Sequence, residues 1–382
     1  MKKYQNIYWK ILRPLVIVFL YIKFGYTFKT AKDLPDKFIL LSNHNTDFDP
    51  LFVGVSFRNG LRYVASEHIS RWKFAFNFVN HIFSPILRPK GTNAASTVKE
   101  ILRASRSGDN VCMFAEGARS WNGITAPISP ATGKLVKSTK CALVTYKIKG
   151  GYFTSPLWSE GGTRRGKIHG EVVNIYSAEE VAKMSVDEIN AILNRDLYED
   201  AYDTQTQLRS KYRGRKLAVK MESMLYYCPN CGAIDTLYSK KNNVFCNKCK
   251  HSFTYDKYGD VYGIKQKNVK ELFAFLRDKT LCDAENKVEY KADCAEIISV
   301  KNHVESLISC GELKINETTL NCGEVTIPIC DIDDMAMHGR YALVFSTKDT
   351  YYEILLKEET NTLKFFMLFQ AYKNGRIDKF NF

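Results

Sequence analysis

The chain lacks a membrane-spanning run. In its first 32 residues the longest uncharged apolar stretch is Leu15 to Ile22, eight residues. A bilayer span needs roughly 20, so a transmembrane helix is excluded there. The same 32 residues also lack any acidic group, although they carry Lys2, Lys3, Lys10, Arg13, Lys23, Lys29 and Lys32. Basic residues before an apolar stretch resemble an export signal, but no small-residue cleavage site follows, only "KFGYTFKTAKD". Internal repeats and low-complexity segments are missing too, which excludes solenoids and disordered arrays.

What is present is a mixed apolar and basic opening, "YWKILRPLVIVFLYIKFGY". It reads as an interfacial segment, with Tyr8, Trp9, Phe19, Tyr21 and Tyr26 at headgroup level and lysine and arginine toward anionic lipid. The competing reading is an N-terminal core helix. The whole chain of 382 residues carries a formal charge of +14, with a pI of about 9.1. That balance favours an anionic partner: nucleic acid, an anionic membrane or a phosphorylated substrate. The concentration of charge at the apolar N-terminus fits lipid better than nucleic acid, so no nucleic-acid partner is expected. The implied place is the cytoplasmic face of a membrane, peripheral or monotopic.

Length predicts two or three domains. Residues 1–34 form the membrane-interface helices and residues 35–222 an α/β domain. In the latter, "KFILLS" (37–42), "NVCMFA" (110–115), "CALVTYKI" (141–148) and "GEVVNIY" (170–176) read as strands with helical stretches between them. "SVDEINAILNRDLYEDAYDTQTQLRSKY" reads as one amphipathic helix, with Ser185 as N-cap and Glu188 three residues on. Residues 223–256 hold Cys228 and Cys231, then Cys246 and Cys249, with fourteen residues between the pairs. Two such knuckles offer four thiolates to one structural Zn²⁺, with no position left open for catalysis. This part resembles a zinc ribbon. Residues 257–382 show short β-runs and a terminal helix with Leu363, Phe366, Leu368, Phe369 and Tyr372 apolar; the order is similar to a PH-like or GRAM-like α+β fold. The remaining seven of the eleven cysteines show no pairing rhythm and read as free thiols in a reducing compartment.

The chemistry gathers in "SNHNTDFDP" (42–50), straight after the first strand. His44 and Asp49 make an H-x4-D pair. A histidine becomes a useful general base when a carboxylate fixes its tautomer and stabilises the imidazolium. Asp47 is a competing orienter, and Asp49, just before Pro50, could instead cap a helix. A second cluster, Glu116-Gly117-Ala118-Arg119-Ser120, ends another apolar strand, and ligands of α/β sheets bind at that edge. Gly117 permits a tight turn, and Arg119 offers a planar fork suited to phosphate. "PILRPKG" adds Arg88 and Lys90.

Together these motifs resemble the 1-acyl-glycerol-3-phosphate acyltransferase (lysophosphatidic acid acyltransferase) family. Its N-H-x4-D motif matches Asn43, His44 and Asp49; its arginine-ended apolar run matches Arg88. Its F-P-E-G-T-R-S motif matches "FAEGARS" (114–120), and its glycine-ended strand falls on "ALVTYKIKGGY" at Gly150. Ala115 and Ala118 depart from the family's proline and threonine. The resemblance implies a mixed central sheet flanked by helices. It implies acyl transfer from acyl-CoA or acyl-carrier protein to a lysophospholipid, with 1-acyl-glycerol 3-phosphate the default acceptor and phosphatidic acid the product. His44 would be the base and Asp49 its orienter. Arg88 and Arg119 would hold the acceptor phosphate, Glu116 its glycerol portion, and Gly117 and Ser120 would shape the same pocket. Backbone N–H groups near His44 would hold the oxyanion. No serine or cysteine stands beside His44 as a nucleophile, which favours direct transfer. The alternative reading, prompted by the altered third motif, is an inactive lipid-binding adaptor.

Overall fold

The computed structural model describes residues 3–66, 73–88, 95–301, 304–348 and 350–375. It divides into two compact units, 1–156 with 163–213, and 157–162 with 214–382. The first unit thus ends at Arg213, nine residues before the expected end of the α/β domain at 222, and the segments expected as 223–256 and 257–382 share one unit.

The first unit runs α1 (Lys3–Phe24), β1 (Tyr26–Phe28), β2 (Phe38–Ser42), α2 (Asp49–Gly54), β3 (Arg62–Ser66), α3 (Lys73–Phe83), β4 (Ile86–Arg88), α4 (Ala95–Arg106), β5 (Val111–Phe114), α5 (Ala131–Thr139), β6 (Ala142–Lys149), β7 (Ile168–Tyr176), α6 (Ala178–Lys183), α7 (Val186–Leu197) and α8 (Ala201–Leu208). The sheet order is β1-β7-β6-β2-β5-β3-β4. Strands β6, β2, β5, β3 and β4 are parallel, and β7 is antiparallel to β6. The sheet is therefore mixed. Strand β2, "FILLS", is buried on both faces, as a central parallel strand covered by helices must be. One face packs on α1 and α2 through Trp9, Leu20, Phe24, Phe52 and Val53. The other packs on α4, α5 and α7 through Ile101, Val136, Ile189 and Leu193.

The N-terminal segment differs from expectation. It is a single helix, α1, followed by an edge strand of the sheet, so 1–34 is not a separate element. Trp9 and Tyr26 are buried, not at an interface. The Trp9 indole donates to the Phe57 carbonyl at 3.2 Å, and the Tyr26 hydroxyl donates to the Phe52 carbonyl at 2.6 Å. Arg13 Nε donates to the Val55 carbonyl at 2.8 Å. Tyr8, Phe19 and Tyr21 do stay exposed.

The helix expected over 185–212 is two. Ser185 and Glu188 form a capping box that starts α7. The chain then leaves helical geometry at Tyr198, and Asp200 caps α8 by accepting from Tyr202 and Asp203 N–H. The break has a local cause: the Glu199 backbone pairs with Thr125, N–H to Oγ1 at 2.8 Å and carbonyl from Thr125 N–H at 3.0 Å.

The second unit holds a four-stranded antiparallel sheet, β8 (Leu237–Lys240), β9 (Asn243–Cys246), β10 (Ser252–Tyr255) and β11 (Val261–Tyr262). The ribbon sheet thus extends past 256. Helix α9 (Val269–Glu285) follows, which the sequence reading missed. Its signals were Asn268 capping Glu271 N–H and apolar residues at Val269, Leu272, Phe273 and Leu276. Then come β12 (Tyr290–Lys301), β13 (Val304–Ile315), β14 (Thr319–Cys322), β15 (Val325–Pro328), β16 (Met335–His338), β17 (Ala342–Ser346), β18 (Tyr351–Leu356) and α10 (Thr362–Asn374). The strands form one antiparallel sheet, β15-β14-β13-β12-β18-β17-β16. Leu363, Phe366, Leu368 and Phe369 of α10 are fully buried. Ribbon and sheet cohere through polar anchors: Lys364 pairs with Asp235 and donates to the Lys291 carbonyl at 2.9 Å, and Asn361 Nδ2 donates to the Glu222 carbonyl at 2.7 Å.

Candidate active site and metal centre

Four parallel strands, β2, β5, β3 and β4, deliver His44, Glu116 and Arg88 to one edge, the carboxyl edge where α/β sheets bind ligands. His44 follows β2, and Asp49 is the first residue of α2. The loop folds back on itself because the Asp49 carboxylate is fully buried and saturated. Its Oδ2 accepts from Asn45 N–H at 2.5 Å and Thr46 N–H at 2.9 Å, and its Oδ1 accepts from Thr46 Oγ1 at 2.7 Å. Oδ2 also lies 2.8 Å from His44 Nδ1. An ionised carboxylate only accepts, so Nδ1 carries the proton and Nε2 the lone pair. The imidazole stacks on Phe114, centroids 4.5 Å apart, and 20% of the side chain reaches solvent. That is the layout of a general base: orienter behind, lone pair free to meet a hydroxyl. Asp47 is not the orienter; it is exposed and pairs with Arg119 at 3.0 Å.

The other expected residues fall into two groups. Arg119 is turned inward, 12% exposed. Its Nε donates to the Asn45 carbonyl at 3.1 Å and its Nη2 to the Ser155 carbonyl. The expected free phosphate fork is thus occupied, because two carbonyls and the Asp47 carboxylate fill it. Glu116 is buried; its two oxygens accept from His44 N–H at 2.6 Å and Ala126 N–H at 2.7 Å. The carboxyl group thus clamps two backbone N–H groups, one of them that of His44. Burial pushes its carboxyl up to about 8, against the two backbone donors that lower it. Gly117 has φ +76°, the left-handed turn that lets the chain leave β5. Ser120 is buried and accepts from Gly123 N–H at 2.9 Å. Arg88 ends β4 and is exposed, with no polar partner among the described residues. Lys90 lies outside the described residues.

The backbone donors expected to hold an oxyanion are also engaged. The N–H groups of His44, Asn45 and Thr46 all bind carboxylates. Sequence reasoning missed Glu199. It is buried, and its oxygens accept from Gly150 N–H at 2.9 Å and Asn43 Nδ2 at 3.2 Å. Burial raises its carboxyl to about 7. Gly150, the expected motif glycine, has φ +74°, and a Cβ there would lie 2.5 Å from the Lys167 carbonyl.

In the second unit the thiols of Cys228, Cys231, Cys246 and Cys249 lie within 4.8 Å of one another. Cys228 and Cys249 sulfurs are 3.8 Å apart, and Cys231 and Cys246 sulfurs 3.9 Å. A tetrahedron with Zn–S of about 2.3 Å has S···S edges of about 3.8 Å, so the donor set fits a four-sulfur metal site. Each knuckle closes with a left-handed residue, Gly232 (φ +68°) and Lys250 (φ +61°).

A search of curated proteins finds no match. Among solved structures the chain is similar to the 1-acyl-sn-glycerophosphate (LPA) acyltransferase PlsC from Thermotoga maritima, with 15% identity and a TM-score of 0.42, over 53% of this chain and 79% of that one. Residues 26–149, about a third of the chain, match the family model described as Acyltransferase. That segment runs from β1 through β6 and contains His44, Asp49, Arg88, Glu116 and Arg119, but not Glu199.

Proposed function

We propose that the first unit moves a fatty acyl group from acyl-CoA or acyl-carrier protein to the hydroxyl of a lysophospholipid, with 1-acyl-glycerol 3-phosphate as acceptor and phosphatidic acid as product. One observation carries this reading: His44 Nδ1 held 2.8 Å from a buried, saturated Asp49 at the carboxyl edge of the parallel sheet, in a segment matching an acyltransferase model. The chemistry follows from that pair. His44 Nε2 takes the proton of the acceptor hydroxyl as its oxygen attacks the thioester carbonyl. The tetrahedral intermediate collapses, the C–S bond breaks, and the imidazolium returns the proton to the departing thiolate. Asp49 offsets the imidazolium charge throughout.

Arg88, exposed and with no polar partner among the described residues, would hold the acceptor phosphate. Strand β4 is three positions from β2, roughly 14 Å at the usual strand spacing, so the acceptor would lie across the sheet edge. Arg119 and Glu116 serve by shaping the His44 loop.

The same reading puts the protein on a membrane surface. No described helix is long and apolar enough to cross a bilayer. Helix α1 instead exposes Tyr4, Ile7, Tyr8, Ile11, Leu15, Val18, Phe19 and Ile22. These recur every three to four residues, one stripe opposite the buried Gln5, Trp9, Leu20 and Phe24. Such a stripe on a cationic segment suits an anionic interface. Zn²⁺ at the four cysteines would be structural and take no part in transfer.

The deciding experiment supplies labelled acyl-CoA or acyl-carrier protein and a panel of lysophospholipid acceptors to the full chain in liposomes, beside His44→Ala. Acceptor-dependent product that vanishes in His44→Ala is expected. Absence of product with every acceptor and both donors, from folded metal-loaded protein, refutes the enzyme reading and favours the adaptor.

A further inference from the structure

We infer that Glu199, outside the segment that matches the acyltransferase model, is a positioning residue that holds His44 in register through Asn43; the inference rests on His44 being the reacting base. The 43–44 peptide is gripped from two sides. On one side the Asn43 amide spans β6, its Nδ2 donating to the Ile148 carbonyl at 2.9 Å and its Oδ1 accepting from Ile148 N–H at 2.8 Å. The second Nδ2 hydrogen goes to Glu199 Oε2 at 3.2 Å. On the other side His44 N–H goes to Glu116 Oε1 at 2.6 Å.

The two carboxylates are themselves joined. Glu116 Oε2 accepts from Ala126 N–H at 2.7 Å. The adjacent Thr125 exchanges two bonds with the Glu199 backbone, at 2.8 and 3.0 Å. A closed ring therefore runs from His44 to Glu116, Ala126, Thr125, Glu199 and Asn43, and back through one peptide bond. Within it, Glu199 alone also pins Gly150 N–H, at 2.9 Å, where β6 ends. A ring of buried hydrogen bonds fixes the angle at which β2 hands the chain to His44, and catalytic geometry tolerates little slack.

The ring makes Glu199 irreplaceable by its own amide. Both of its oxygens face donors, Gly150 N–H and the Asn43 amide nitrogen. Asn43 cannot turn over, because each end of its amide is already bonded to Ile148. Glu199→Gln therefore sets an NH₂ against a donor whichever way it lies.

The test uses the full chain carrying Glu199→Gln, with Thr125→Val as a second variant that removes one of the two Thr125–Glu199 bonds, Glu199 N–H to Thr125 Oγ1, and so loosens the ring while leaving the Glu199 carboxyl and the Thr125 N–H to Glu199 carbonyl bond intact. Three quantities are measured: the thermal unfolding midpoint, kcat and KM for acyl transfer, and the His44 Nδ1–H proton resonance in ring-¹⁵N-histidine protein, assigned by its loss in His44→Ala. Expected are a folded variant, kcat lower by about 10- to 100-fold, KM within about threefold, and a shifted or exchange-broadened Nδ1–H signal. An unchanged Nδ1–H signal in a folded Glu199→Gln variant overturns the inference, whatever its turnover. Should Glu199→Gln not fold, the same readings on Thr125→Val decide it. Should the wild type transfer no acyl group, the resonance still decides the role of Glu199 and the enzyme reading falls separately.

Discussion

Asp49→Asn is the sharpest perturbation of the site, because the structure fixes what the amide must do. Oδ2 receives three donors, His44 Nδ1–H, Asn45 N–H and Thr46 N–H, whereas Oδ1 receives only the Thr46 hydroxyl. The asparagine therefore puts its oxygen at the Oδ2 position and its NH₂ at Oδ1, and the Thr46 hydroxyl rotates to accept. Loop geometry and histidine tautomer survive; the negative charge does not. Two bounds set the magnitude. Replacing a charged hydrogen bond by a neutral one forfeits about 1–1.5 kcal/mol, about tenfold in rate. A unit charge pair at the observed 2.8 Å, at an effective dielectric of about 20, is worth about 6 kcal/mol, about 10⁴-fold. Three other donors already draw on the carboxylate, so the expected loss lies between, near 10²- to 10³-fold in kcat with KM nearly unchanged. Steady-state acyl transfer beside a thermal unfolding scan measures it. A folded Asp49→Asn enzyme within fivefold of wild-type kcat would refute the base assignment for His44, since an imidazolium that needs no counter-charge is not forming.

The two motif arginines separate by kinetic signature: Arg88→Ala should raise KM for a phosphorylated acceptor about tenfold or more and spare kcat, whereas Arg119→Ala should lower kcat by releasing Asn45 and Asp47. Glu116 and Glu199 rise from 4.5 to about 8 and about 7 by burial, so between pH 4.5 and 8 the native state binds more protons than the unfolded one, and these two groups make stability fall as pH rises; urea midpoints across that window should show the slope, and Glu116→Gln should flatten it. Elemental analysis should find one metal ion per chain in the wild type and none in Cys246→Ser, whose second unit should unfold at lower urea. Trp9→Ala should cost about 3–5 kcal/mol by opening a core cavity, whereas Ile11→Ser, on the exposed stripe, should leave stability within about 0.5 kcal/mol and weaken sedimentation with anionic vesicles.

Which parts of this molecule could be read from its sequence follows from how far each contact reaches along the chain. His44 and Asp49 are five residues apart, and the turn between them is closed by Asn45 and Thr46, so spacing alone exposes the pair. The four cysteines are equally local: each knuckle brings two sulfurs together within four residues, and only the return of β9 joins them. The strands β2 and β6 announced themselves as apolar runs because both faces of the sheet are covered there, whereas β7 is mostly half-buried and leaves Ile175 exposed. What spacing cannot show is the partner of a side chain more than 30 residues away. Arg119 looked like a free fork because Asn45 and Ser155, whose carbonyls fill it, lie 74 and 36 residues distant. Glu199 fell unremarked inside the helix expected over 185–212, yet its partner Asn43 lies 156 residues upstream.

Helix α1 exposes a different limit. Its aromatic and basic composition reads as one interfacial surface, yet a helix has two sides. The residues at 4, 8, 11, 15, 18 and 22 face out, and those at 5, 9, 20 and 24 dock on the sheet. Composition averaged the two stripes; the 3.6-residue period, applied residue by residue, separates them and would have placed Trp9 inside. The distinction bears on function. The buried stripe packs against α2, the helix that begins with Asp49, through Phe24 and Phe52, whose rings lie 5.3 Å apart. The exposed stripe is the proposed lipid contact. On the proposed reading, this one helix would stand between a membrane surface and Asp49, so a lysophospholipid held at that surface would meet a site already braced by the packing of Phe24 on Phe52.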